Sequence, residues 1–217
     1  MITSNDSFLR GLEKRLIEKL CGFIPPFIGT KILTSLSLGS SLLILLSYYL
    51  SNKISAFLFV ASFFIIMQWI FDCLDGEIGR LRREGLVRWG FYMDHLFDYF
   101  FMFSIIFGFW FIFPHAKLQI LFLFFLFSAF MVNFFLLYSV LRDKEPNFTI
   151  SFGWFSPIEF RLLFILFNSL FYFFESGMKY FIYRYLSYFN IFLFVMLIIV
   201  IYSCQKKLSK YDILEKQ

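Results

Sequence analysis

The sequence predicts an all-α polytopic membrane protein, with six transmembrane helices preceded by an amphipathic interfacial helix. Three observations carry this. Hydrophobic residues make up 60% of the 217 positions, with a mean hydropathy of +0.75, against about 45–50% apolar residues in a soluble domain. The apolar residues fall into six runs, each near the roughly 20 residues that cross a bilayer. The basic residues collect at the ends of those runs.

The N-terminal element comes first. Phe8, Leu9, Leu12, Leu16, Ile17 and Leu20 recur at steps of three and four, and Arg10, Glu13, Lys14, Glu18 and Lys19 fall mostly between them. That period describes a short amphipathic helix lying in the headgroup layer, where a simple anchor is the preferred role. It has no uninterrupted apolar core and no small-residue cleavage site, so it is not a secretory signal. Pro25-Pro26 ends it.

The six spans are placed at residues 30–50, 54–79, 87–113, 118–141, 155–174 and 185–205. This divides the chain into an N-terminal juxtamembrane segment (1–29), a six-span membrane domain (30–205) and a polar, basic tail (206–217), which is either a short surface helix or frayed. The stretch from Arg142 to Thr149 is the most loop-like interval between spans. Three cysteines, Cys21, Cys73 and Cys204, form neither a metal pattern nor a disulfide framework. The 37 phenylalanines read as filler for lipid-facing positions.

Lysine and arginine placement orients the spans. Arg10, Lys14, Arg15, Lys19, Lys31, Arg80, Arg82, Arg83, Arg88, Arg142, Lys144, Lys206, Lys207, Lys210 and Lys216 share one side of a six-span arrangement. Lys53, Lys117, Lys179 and Arg184 lie on the other. Both termini, and the connection between the second and third spans, are therefore expected in the cytoplasm. The net charge of +5 follows from this topology rather than from nucleic-acid binding.

The chemistry gathers in the 27 residues from Asp72 to Asp98. A carboxylate at membrane depth costs roughly 2.5–3.5 kcal/mol on insertion scales, so four together need a shared reason. Asp72, Asp75, Gly76 and Gly79 share one stripe of a helix, and Gly90, Asp94 and Asp98 share another. Packed antiparallel with the stripes facing, the two helices would bring four carboxylates together. Magnesium and manganese prefer such hard oxygen ligands, and a pair of ions suits phosphoryl displacement. Gly76, Gly79 and Gly90 allow close approach of a ligand or a helix, and Arg80 can neutralise a phosphate. Arg82, Arg83 and Arg88 read as topology determinants that also attract an anionic substrate.

The window resembles the signature of the CDP-alcohol phosphatidyltransferase family, which runs Asp, two residues, Asp-Gly, two residues, Ala-Arg, about eight residues, Gly, three residues, Asp, three residues, Asp. Asp72, Asp75, Gly76, Arg80, Gly90, Asp94 and Asp98 match seven of its eight fixed positions. Gly79 stands for the alanine, and nine residues rather than eight separate Arg80 from Gly90. The resemblance implies a transferase that moves a substituted phosphate from a CDP-linked alcohol to the hydroxyl of an acceptor alcohol and releases CMP. It implies metal ligation by Asp72, Asp75 and Asp94, and a general-base role for Asp98, with a possible metal contact. It also implies CDP binding along Gly76, Gly79 and Arg80, one or two Mg2+ or Mn2+ ions, and a homodimer. CDP-diacylglycerol is the preferred donor; CDP-choline or CDP-ethanolamine with diacylglycerol is the alternative.

Four further residues are weighed. His95 points about 100° away from Asp94 on the helix and reads as a packed or hydrogen-bonded histidine. Glu77 lies off the stripe and reads as solvated or capping. Glu159 and Arg161 open the fifth span on the aspartate side, where they bind the acceptor, pair with headgroups or anchor the span. Asn133 reads as an interhelical hydrogen bond. The competing function classes are a divalent-cation transporter and an inactive membrane scaffold. A transporter needs polar groups along the whole path, whereas these acids gather near one face; an inactive relative has no need of all four.

Overall fold

A run of small hydroxyl residues lets the second helix sit at the centre of its neighbours. In the computed structural model, which describes residues 8–141 and 157–214, this is α2 (Thr30–Ser51). Thr30, Thr34, Ser37, Ser40, Ser41 and Ser47 are all buried. Ser40, Ser41 and Ser47 need no distant partner: each hydroxyl donates to the carbonyl four residues back, at 2.7–3.2 Å. Small residues that satisfy themselves allow close helix packing where no aqueous hydrophobic effect drives association.

The other helices are α1 (Phe8–Cys21), α3 (Phe57–Leu81), α4 (Val87–Ile112), α5 (Lys117–Leu141), α6 (Pro157–Phe173) and α7 (Glu175–Leu214), with a short 3-10 turn at Pro114–Ala116. Among the described residues, five helices are long and apolar enough to cross a membrane: α2, α3, α4, α5 (counted with the preceding turn) and α7. The all-α polytopic expectation therefore holds. The remaining helix, α6, has 17 residues.

The chain divides into two compact units. The first contains α1–α4 and α6. Here α2 packs on α3 and α4, and α6 on α3. Gly108 of α4 lies against the Tyr48 ring: a Cβ there would fall within 2.6 Å of Tyr48 Cγ. Tyr48 is fully buried. Its hydroxyl donates to Asn168 Oδ1 at 2.9 Å, and Asn168 Nδ2 donates to Ser62 Oγ at 3.0 Å. One buried chain of bonds thus ties α2, α3 and α6 together.

Helix α1 is amphipathic as expected. Ile17 and Cys21 are buried with Leu33, Leu74 and Ile78, while Lys14, Arg15, Glu18 and Lys19 are exposed. Glu13 accepts bonds from Trp69 Nε1 at 2.8 Å and Cys73 Sγ at 3.3 Å, which dock α1 on α3. The chain turns after Cys21 and passes Pro25-Pro26 before α2. Cys21, Cys73 and Cys204 are free thiols.

The second unit contains α5 and α7. Asn190 Nδ2 donates to the Gln119 carbonyl at 2.8 Å, and Asn133 Nδ2 lies 3.6 Å from Cys204 Sγ. Both pairs are 71 residues apart, so α5 and α7 run parallel. Asn133 makes the interhelical bond expected of it.

Helix α7 departs from expectation. Its 40 residues run unbroken through positions 175–184, read as a connection, and through the tail as far as Leu214. No proline interrupts this stretch, and a started helix extends at little cost per residue. Arg184, assigned to a loop by the basic-residue pattern, lies on the helix beside Tyr180, whose hydroxyl accepts from Nη1 at 2.6 Å. The loop-like stretch from Arg142 to Thr149, Lys216 at the end of the tail, and the first seven residues lie outside the described residues.

Candidate active site

The packing stripe of α3 becomes the site. Leu58, Ala61, Ser62, Ile65 and Gln68 are buried at helical spacing, and Asp75 and Ile78 continue the buried run. Asp72 and Gly79 fall on the same face. Asp75 is only 3% exposed. Its Oδ2 accepts from Thr34 Oγ1 at 2.8 Å, and its carbonyl accepts from Thr30 Oγ1 at 3.3 Å. The Ser/Thr face of α2 therefore grips this carboxylate.

Arg161 of α6 joins the two halves of the motif. Its Nη2 lies 3.0 Å from Asp72 Oδ2 on α3 and 3.6 Å from Asp98 Oδ1 on α4. The arginine is 6% exposed. It is thus no headgroup anchor at the mouth of a span but a buried cation between two carboxylates. Its Nε donates to Gln68 Oε1 at 3.1 Å, and its guanidinium lies 5.2 Å from the centroid of the Phe101 ring. Removing one partner from such a group is costly, because the other charge stays buried and unpaired. Glu159, half-buried, lies in the first turn of the same helix.

The loop between α3 and α4 is held rather than open. Arg82 donates to the carbonyls of Ile24 (3.0 Å), Pro25 (3.2 Å), Pro26 (3.2 Å) and Ile28 (2.7 Å). Glu84 accepts from the Thr30 backbone N–H at 3.2 and 3.3 Å, through its two oxygens, and so satisfies the start of α2. Arg83 and Gly85 adopt positive φ, 52° and 72°, which lets five residues reverse the chain. Leu81, residues 82–86 and the first three residues of α4 absorb the nine-residue spacing, so neither stripe is interrupted.

The remaining motif positions differ among themselves. A Cβ on Gly79 would lie 3.0 Å from Thr30 Oγ1, so this position is small where α2 approaches. Gly76 has only the Arg80 guanidinium nearby, at 3.6 Å, and Gly90 has nothing within 4 Å. Arg80 reaches outward and pairs with Glu77 at 2.6 Å. Glu77 is thus the partner of a surface ion pair. His95 Nδ1 lies 2.8 Å from the Phe91 carbonyl and its ring meets that of Phe91 at a 45° tilt, centroids 4.2 Å apart, as a packed histidine would.

Asp72 and Asp75 lie on α3, and Asp94 and Asp98 on α4; both helices pack on α2, and Arg161 meets one carboxylate from each. Among the described residues, no three His, Cys, Asp or Glu side chains are grouped closely enough to hold a metal ion. The donor chemistry is of the kind divalent cations take: four carboxylates supply hard oxygens. Gln68, Thr34 and Glu84 escaped the reading of the sequence. Gln68 alone carried a signal, as a polar residue four positions before Asp72 within an apolar run.

The family model of CDP-alcohol phosphatidyltransferase matches residues 28–202. The chain belongs to the CDP-alcohol phosphatidyltransferase family. No curated protein and no solved structure matches it. As a family member it is a membrane transferase of phospholipid biosynthesis that moves a phosphatidyl-type group from a CDP-alcohol to an acceptor alcohol. The family uses divalent metal ions. The match covers the whole of α2–α6 and both halves of the aspartate motif, and begins after α1.

Proposed function

We propose that this CDP-alcohol phosphatidyltransferase uses CDP-diacylglycerol as donor, a polar alcohol as acceptor, and Asp98 as the general base. The observation that carries the reading is the sharing of Arg161 by Asp72 and Asp98, since it turns the two halves of the motif toward one centre. Asp72, Asp75, Asp94 and Asp98 would hold one or two Mg2+ or Mn2+ ions. Bound there, the metal supplies positive charge that offsets the diphosphate and improves CMP as a leaving group.

The protein's own groups do the rest. The acceptor hydroxyl oxygen forms a bond to the phosphatidyl phosphorus as the bond from that phosphorus to the diphosphate bridging oxygen breaks. CMP leaves with the electron pair. The hydroxyl proton passes to Asp98, whose side chain is 49% exposed and meets Arg161 only at 3.6 Å, so its oxygens can reach a proton. Gly76 offers an uncrowded helix face for the CDP moiety, with Gly79 beside it. Arg80, already drawn to a carboxylate oxygen of Glu77, would exchange that oxygen for one on a phosphate. Gly90 leaves room at the start of α4. Arg161, with Glu159 two residues nearer the helix start, would bind the acceptor.

The six-span arrangement is part of the proposal. Here α6, with 17 residues, is read as the sixth crossing. Seventeen residues span about 25 Å, within the range for a short crossing. The lysine and arginine distribution puts both termini and the α3–α4 loop in the cytoplasm, with residues 30–205 as the membrane domain, 1–29 and 206–217 flanking it, and a homodimer as the working assembly.

The deciding experiment is CMP release by purified protein in lipid, with CDP-diacylglycerol, Mn2+ or Mg2+, and a panel of acceptors, beside Asp98→Asn. Release that needs both metal and acceptor, and fails in the variant, supports the reading. Release only with CDP-choline or CDP-ethanolamine and diacylglycerol reverses donor and acceptor. Silence with every donor, despite metal binding, favours a cation transporter or a scaffold.

A further inference from the structure

We propose that Gln68 is a positioning residue that holds Arg161 on the Asp72–Asp98 pair, so that the guanidinium competes with a divalent cation for those carboxylates. The inference rests on the reading that these aspartates hold a metal.

Gln68 is fully buried. Its amide is oriented at both ends: Nε2 donates to Ser37 Oγ at 3.2 Å, and Oε1 accepts from Arg161 Nε at 3.1 Å. A relay therefore runs from α2 through α3 to α6, and ends at Asp72 on α3 and Asp98 on α4. Each link limits the next. Ser37 sets the amide, the amide holds Nε, and a held Nε leaves the Nη2 edge aimed at the two carboxylates. The Phe101 ring, 5.2 Å from the guanidinium carbon, restricts rotation out of that plane.

The consequence is electrostatic. A metal that binds Asp72 and Asp98 meets a cation already seated there, and like charges at short range repel. Whatever stabilises Arg161 in this pose makes metal binding harder until an anionic ligand offsets the charge. Loss of Gln68 should therefore tighten the binding of metal alone. A variant that merely damaged the fold would do the opposite.

The test is Mn2+ binding to the purified full-length protein without CDP-alcohol, read by the electron paramagnetic resonance of free Mn2+ at mildly alkaline pH. Arg161→Met should bind on the order of tenfold tighter. Gln68→Met should bind severalfold tighter, and Ser37→Ala should shift the same way by less, with little risk to folding. In an Arg161→Met background neither further change should matter, because the relay then has nothing to position. Unchanged or weaker binding by Gln68→Met and Ser37→Ala overturns the proposal, as does an equal shift in the Arg161→Met background. If the unmodified protein binds no Mn2+, the metal reading of the aspartates falls first and this inference falls with it.

Discussion

Arg161 Nη2 stands 3.0 Å from Asp72 Oδ2, although the two residues are 89 positions apart in the chain. This pair, with Asp98 beside it, makes α6 part of the site formed by α3 and α4. Lysine cannot reproduce it, because an ammonium on a flexible stem cannot bond Gln68 and Asp72 through two nitrogens of one rigid plane. Arg161→Lys should lower turnover about tenfold, the loss of one charge-assisted bond. CMP release measured beside Mn2+ binding would separate lost chemistry from lost metal.

Asp98→Asn keeps the shape of the side chain and removes its ability to take a proton. If Asp98 is the general base, CMP release should fall by about 10²–10⁴-fold, with retained binding of a nonreactive donor analogue. A variant that still turned over at near-normal rate would remove Asp98 from that role.

Chelation tests the metal directly. With excess EDTA, CMP release should stop, and it should return on adding Mn2+ or Mg2+ but not Na+. Activity that survives exhaustive chelation would leave the four aspartates without their proposed ligand.

Arg82 is a structural clamp, so its loss should appear in stability before chemistry. Arg82→Ala removes four carbonyl contacts across residues 24–28. Several of these are partly exposed, so the expected cost is about 1–2 kcal/mol. Protease accessibility of that loop, compared with unmodified protein, would report it. The expected pattern is faster cleavage near Pro25 and a modest fall in activity.

The two helix-facing glycines should separate on substitution by alanine. Gly108→Ala places a methyl against the fully buried Tyr48 ring and should cost about 1–3 kcal/mol through overpacking. Gly79→Ala meets only a rotatable hydroxyl of Thr30 at 3.0 Å and should be tolerated. Thermal unfolding in one detergent would rank them.

The sequence by itself determined the membrane class, the amphipathic α1 and the position of the acidic motif. These depend on local pattern: apolar run length, a three-to-four residue period, and fixed spacing along two helices. The same pattern misplaced the start of α7, because basic residues at 179 and 184 suit a loop or a helix end equally well and only the continuous backbone distinguishes them. It also left Arg161 at the mouth of a span and overlooked Gln68, since a lone polar residue in an apolar run carries no partner in its own neighbourhood. Tertiary structure decided both. Packing α6 on α3 brought a cation from 89 residues away to Asp72, and burial there made pairing obligatory, because a charge removed from water must find its partner within the protein.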